Sequence, residues 1–199
     1  DGPGQFELGH NMCQVSFGPD CTVWTVDRLA GNVHHFKKNG ELLKTIGTVT
    51  AGGGSGPGET GHRFNGPFGI AVSRLRDSVF VNEYSNGRIS EFNQSDGAFV
   101  RVLNGTETLE NDMPCGMCLS PDEATLAVAC AGNDNIRILY VDGSEAPRTI
   151  GGQRGSGDGQ LNHPCDVHFT PDGHHLVVAD RGNNRVQVLR LEDGSFVHQ

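Results

Sequence analysis

The chain lacks any stretch long and apolar enough to span a membrane as a helix, which takes about 20 residues, so helical membrane insertion is excluded. Its first residues, Asp1-Gly2-Pro3-Gly4-Gln5-Phe6, do not form a signal peptide. Basic residues are few: 15 Lys and Arg stand against 24 Asp and Glu, for a net charge of −9. They are scattered, with only Lys37 and Lys38 adjacent. Nucleic-acid binders carry a basic patch or stripe, so nucleic acid is not an expected partner. There is no Gly-x-Ser-x-Gly elbow, and no Ser–His–Asp set can be assembled. No credible helix is present.

Glycine is abundant, with 29 residues, and one motif is stated four times. Met12-Cys13-Gln14-Val15-Ser16-Phe17, Pro67-Phe68-Gly69-Ile70-Ala71-Val72, Pro114-Cys115-Gly116-Met117-Cys118-Leu119 and Pro164-Cys165-Asp166-Val167-His168-Phe169 align. The anchors Met12, Pro67, Pro114 and Pro164 recur about every 50 residues, and a period of about 40–50 residues made of short strands is a propeller blade. After each motif comes a turn such as Ser120-Pro121-Asp122, then a β-branched run such as His175-Leu176-Val177-Val178-Ala179-Asp180. A third strand alternates with period 2, as in Arg185-Val186-Gln187-Val188-Leu189, and a fourth follows a Gly-containing turn. The expected fold is an all-β propeller with four four-stranded antiparallel blades, at approximately 5–47, 62–105, 112–151 and 161–199. The run Ala51-Gly52-Gly53-Gly54-Ser55-Gly56-Pro57-Gly58 reads as an inter-blade linker, because a phosphate-binding loop needs a helix after its glycines and here a strand follows.

Asp180-Arg181-Gly182-Asn183-Asn184-Arg185-Val186-Gln187-Val188-Leu189 resembles the signature of the NHL repeat, as do Glu83-Tyr84-Ser85-Asn86-Gly87-Arg88-Ile89-Ser90-Glu91-Phe92 and the Gly-x-Phe of the outer strands. The third repeat departs from it, with Cys130 in place of Asp and Asn135 in place of Arg. The resemblance implies a larger ring, usually of six blades, of which this chain supplies four. It does not choose a function, since NHL propellers include RNA-binding, substrate-recruiting, sensory and amidating-lyase members. On this reading the chain starts in an inter-blade loop, stops in an outer strand and is a piece of a longer protein.

Cys13, Cys115 and Cys165 share the slot after the anchor, and Phe68 fills it in the second repeat. In a propeller the first strand lines the central channel, so this slot lies near one rim. Centring each first hairpin on its turn pairs Leu119 with Leu126. The same register puts Cys13 opposite Asp27, Phe68 opposite Glu83, Cys115 opposite Cys130 and Cys165 opposite Asp180. These eight residues are the candidate binding rim. Three readings stay open: cysteine as a small packing residue, a Cys115–Cys130 disulfide in an oxidising compartment, or a soft, thiolate-rich metal site. The amidating lyase of the resembled family places metal-binding histidines in this slot, and here it holds none. The nine histidines do not recur at equivalent positions, and His34-His35 and His174-His175 read as surface residues.

The reading set first is a non-enzymatic protein-interaction or scaffold module with no cofactor, presenting its loops and channel rim to a protein partner. A metal-dependent lyase or lactonase-like enzyme, with a metal ion at the rim, is the alternative. Open blade edges also offer self-association. Sequons at Asn93 and Asn104 are glycosylation candidates and tilt the location towards the extracellular or secretory side.

Overall fold

In a computed structural model covering residues 12–47, 64–103, 109 and 112–198, the apolar runs form strands wherever Gly, Pro, Asn and Asp bound them. The Gly-rich run 51–58, the N-terminal segment before Met12 and the sequon Asn104 lie outside the described residues. Blade 1 comprises β1 (Met12–Phe17), β2 (Val23–Asp27), β3 (Asn32–Phe36) and β4 (Leu42–Ile46). Blade 2 comprises β5 (Pro67–Val72), β6 (Val79–Glu83), β7 (Arg88–Phe92) and β8 (Phe99–Val102). Blade 3 comprises β9 (Pro114–Leu119), β10 (Thr125–Cys130), β11 (Asn135–Tyr140) and β12 (Arg148–Gly151). Blade 4 comprises β13 (Pro164–Phe169), β14 (His175–Asp180), β15 (Arg185–Arg190) and β16 (Phe196–His198). Each blade is an antiparallel meander in chain order. Among the described residues there is no α-helix, only single 3-10 turns at Pro19–Cys21 and Arg181–Asn183.

The chain divides into two compact units, 1–105 and 106–199. In the first, β1 and β2 pack on β5. The core between blades 1 and 2 is built from Trp24, Val26, Val33, Ile70, Val81 and Phe92, all at most 1% exposed. In the second, β9 and β10 pack on β13. There Ala127, Ile136 and Ile138 of blade 3 meet Val167, Leu176, Val178 and Leu189 of blade 4. Each large aliphatic or aromatic side chain buried this way contributes about 1.5–3 kcal/mol, so each two-blade unit has a substantial core of its own.

A β-bulge interrupts every first hairpin just after the anchor. Pro67 pairs with Glu83, Pro114 with Cys130 and Pro164 with Asp180, while Met12 pairs with Asp27. The register expected from the turns holds as far as Leu119–Leu126 and Val128–Met117 and then slips by one. Proline supplies no N–H to the ladder, which is where bulges are tolerated. The residue before each anchor proline is left-handed, with φ of 60° at Gly66, 49° at Met113 and 50° at His163. Such a backbone costs a non-glycine residue about 1–2 kcal/mol, and at His163 the backbone N–H donates to Asp134 Oδ1 at 2.7 Å.

Candidate functional site

The slip moves the rim residues from where the turns alone place them. Cys13, Phe68, Cys115 and Cys165 sit in the bulges and do not face Asp27, Glu83, Cys130 and Asp180 across the ladder, because the anchors do. Within each unit the groups still gather. Cys13 senses the charges of Arg28 and Asp27, Cys130 those of Asp112 and Arg137 with Cys115 also in range, and Cys165 those of Asp166, Arg181 and Asp180.

The carboxylates are engaged inside the protein. Glu83 is fully buried, and it accepts from Asn65 N (3.0 Å), Asn86 Nδ2 (2.6 Å), Arg88 Nε (2.6 Å) and Ser90 Oγ (2.9 Å). Asp180, also fully buried, accepts from Asn162 N (2.7 Å), Asn183 Nδ2 (2.8 Å), Arg185 Nε (2.9 Å) and Gln187 Nε2 (3.3 Å). The rest of the Arg185 guanidinium donates to the carbonyls of Ser156, Gly157 and Gln160 at 2.8–2.9 Å, clamping the inter-blade linker. Asp27 caps its own turn, accepting from the amides of Leu29 (3.0 Å) and Ala30 (2.9 Å). A carboxylate whose lone pairs are filled by buried donors is a structural lock.

None of the six cysteines is paired in a disulfide. Burial pushes Cys13, Cys165 and Cys130 up, and Cys118 up to about 12. Metal binding and nucleophilic attack need the thiolate. Cys115 Sγ donates to the Met113 carbonyl at 3.4 Å and Cys130 Sγ to that of Val128 at 3.7 Å, so this pair is not joined as a disulfide. Among the described residues no group of three or more His, Cys, Asp or Glu side chains is placed to hold a metal ion. The rim carboxylates Glu83 and Asp180 already spend their lone pairs on buried donors, and burial disfavours the thiolate at Cys13, Cys130 and Cys165. Asn93, the sequon residue that is described, opens the turn between β7 and β8, where its backbone N–H donates to the Ala98 carbonyl at 2.9 Å.

The rim of the first unit holds a different arrangement. The Arg28 guanidinium lies over the rings of Phe68, at 5.6 Å, and Tyr84, at 5.0 Å. The two rings are themselves 6.3 Å apart and tilted. Arg28 is exposed, both rings are half-buried, and neighbouring Leu29 is 75% exposed. Phe68 belongs to the sequence-derived rim; Arg28 and Tyr84 do not, because their proximity arises only when blades 1 and 2 pack.

Two further features escape a repeat-based reading. On β13, His168 Nε2 lies 3.5 Å from Asp166 Oδ2, and that carboxylate raises the imidazole pKa. The Asp-x-His spacing, two residues apart on one strand, was the available signal. On β3, His35 stacks on Trp24 with centroids 3.8 Å apart. Both its nitrogens are buried without a partner, and burial, reinforced by the Lys44 charge, lowers its pKa to about 4. His35 is thus half-buried, with both ring nitrogens shielded from solvent, rather than the surface residue expected.

The family model described as "Lactonase, 7-bladed beta-propeller" matches residues 9–195. The chain belongs to this lactonase propeller family. The family's description gives seven blades, one more than the NHL resemblance implies. No curated protein matches the chain in sequence. Solved structures share the propeller fold of this lactonase-family chain at low identity. One is the hydrazine synthase of Kuenenia stuttgartiensis, with TM-score 0.67 and 16% identity over 98% of this chain and 53% of that one. Another is a catalytically inactive virginiamycin B lyase from Staphylococcus aureus with quinupristin, with TM-score 0.67 and 15% identity over 96% and 56%. A third comes from a nidogen/laminin complex, with TM-score 0.70 and 20% identity over 92% and 62%. The chain thus spans between half and two thirds of these structures.

Proposed function

We propose that this lactonase-family propeller segment is a protein-interaction module whose partner docks on the first unit's rim at Arg28, Phe68 and Tyr84. The observation that carries the reading is the stacking of one guanidinium over two aromatic rings beside an exposed leucine. Arginine and aromatic residues are enriched where interfaces concentrate their binding energy. The chemistry of the rim supports it, since Glu83 and Asp180 are locked by buried donors and burial raises the thiol pKa of Cys13, Cys130 and Cys165. The structural neighbour in a nidogen/laminin complex supports a protein partner.

A lactonase-like or lyase-like enzyme is the second reading, favoured by family membership and by the virginiamycin B lyase neighbour. One experiment separates the two. A photo-crosslinking side chain is placed at Leu29, and the purified chain is assayed for bound metal and for lactone hydrolysis. The interaction reading expects one saturable cross-linked protein, lost in Phe68→Ala and Tyr84→Ala, with no stoichiometric ion. A tightly held ion at one per chain together with turnover overturns it.

A further inference from the structure

The first hairpin of blade 2 turns differently from the other three. Those of blades 1, 3 and 4 carry Pro19-Asp20, Pro121-Asp122 and Pro171-Asp172, and each passes through a left-handed residue: Cys21 (φ 58°), Glu123 (φ 55°) and Gly173 (φ 74°). Blade 2 instead has Arg74-Leu75-Arg76 between Ser73 and Asp77, and no residue of 73–78 is left-handed. Leu75 is 72% exposed, and both arginines are exposed. Blade 2 is flanked in the chain by blades 1 and 3, so this turn is not on a terminal blade. Side chains hold it. Ser73 Oγ accepts from the backbone N–H of Leu75 (3.2 Å) and of Arg76 (2.7 Å). Gln94, in the turn between β7 and β8, donates through Nε2 to the carbonyls of Ser73 (2.7 Å), Arg76 (2.8 Å) and Ser78 (3.1 Å). Both carboxylate oxygens of Asp77 accept from Ser95, one from its N–H at 2.8 Å and one from its hydroxyl at 2.5 Å. Lys44 of blade 1 in turn donates to the carbonyls of Gln94 and Ser95.

Val141 and Leu191 hold the Gln94 position in blades 3 and 4: the N–H of each makes the same backbone bond to the first-hairpin turn, to the carbonyls of Asp77, Ala124 and His174 respectively for Gln94, Val141 and Leu191. Neither Val141 nor Leu191 has a side-chain donor to offer. Closing the hairpin therefore does not require the polar brace of blade 2, which fixes an exposed leucine between two cations. We propose that Arg74-Leu75-Arg76 is a preformed docking knob for an acidic protein segment, which seats Leu75 in an apolar notch and sets carboxylates against the two guanidinium groups. The knob follows the end of β5, away from Phe68 at its start, so it is a second surface, independent of the Arg28 rim. Charge complementarity selects the partner: the chain carries −9 overall, so an acidic segment is repelled by the surface as a whole and drawn to this turn. A turn already fixed loses little conformational freedom on binding, so burial of the leucine is realised as affinity. Two arginines and one leucine are too few to hold a membrane surface stably.

Fluorescence anisotropy of the full 199-residue chain with two short synthetic peptides tests this, one of alternating Glu and Leu and one of alternating Glu and Ser. The Glu/Leu peptide should bind saturably and about tenfold more tightly than the Glu/Ser peptide. Leu75→Ala should weaken it about tenfold, the worth of burying most of one leucine side chain. Arg74→Gln and Arg76→Gln should each weaken it about two- to fivefold, and by less as salt is raised. These three side chains are exposed, so circular dichroism of each variant should match wild type. Gln94→Leu removes the brace without touching the peptide; it should speed hydrogen exchange at the Leu75 and Arg76 amides and weaken binding about threefold. Val197→Ala, at an exposed apolar residue of blade 4, should leave binding unchanged. Absence of saturable binding, equal binding of the two peptides, or a Leu75→Ala variant that binds as wild type does overturns the inference. Binding to phosphatidylserine vesicles that is lost in Leu75→Ala, with no peptide binding, assigns the knob to a membrane and overturns it as well.

Discussion

Replacing Asp180 by Ala should destabilise the second unit by about 3–5 kcal/mol, the range for removing one partner of a buried ion pair. The structure sets that magnitude. Asp180 is fully buried, and Arg185 is only 15% exposed at its side chain. Truncation would leave Arg185 Nε, Asn162 N, Asn183 Nδ2 and Gln187 Nε2 without their shared acceptor. Each orphaned donor costs about 1–3 kcal/mol, reduced where water or a neighbouring carbonyl substitutes. Against a total domain stability of about 5–15 kcal/mol the loss is large. Asp180→Asn keeps one acceptor oxygen and should fall between wild type and Asp180→Ala. Cys165→Ser, at a half-buried position whose Sγ donates to the Ala179 carbonyl at 3.7 Å, should change stability by no more than about 1 kcal/mol. Urea unfolding followed by circular dichroism measures the difference, and hydrogen exchange at the Asn162 amide reads the lock locally. If Asp180→Ala costs less than about 1 kcal/mol, or no more than Cys165→Ser, the carboxylate is not a lock and its candidacy as a ligand reopens.

The remaining predictions concern buried groups. His35 titrates near pH 4 when folded and near 6.5 when unfolded. Above pH 6.5 neither state is protonated, and as pH falls from 6.5 towards 4 the unfolded chain takes up a proton the folded one refuses. Stability should therefore drop across that window by about 1–2 kcal/mol after solvent screening is allowed for. His35→Phe keeps the stack on Trp24 and should flatten that part of the profile in thermal melts over pH. Alkylation by iodoacetamide at neutral pH should mark exposed Cys21 first and leave Cys118 and Cys130 unmodified until urea unfolds the chain, read by mass spectrometry.

The sequence by itself determined the blades. Proline or methionine anchors about 50 residues apart, β-branched runs and Gly, Asn and Asp turns are local signals, and they specify four meanders because strand propensity and turn chemistry act over a few residues. Asp180 with Arg185, and Glu83 with Arg88, were legible as a repeated pattern; that the pattern is a lock on the linker was not, since the clamped carbonyls of Ser156, Gly157 and Gln160 lie some 25 to 29 residues away in the chain. The bulge defeated the register at Cys115 and Cys165, because period-2 counting assumes an unbroken ladder and every first hairpin, the Met12-anchored one included, is bulged after its anchor. Arg28, Phe68 and Tyr84 meet only through the packing of blade 1 on blade 2, and the His35 ring is shielded because Trp24 lies flat against it. Such contacts depend on which faces of separate blades come together, and a local pattern carries no record of that; only the tertiary structure decided them.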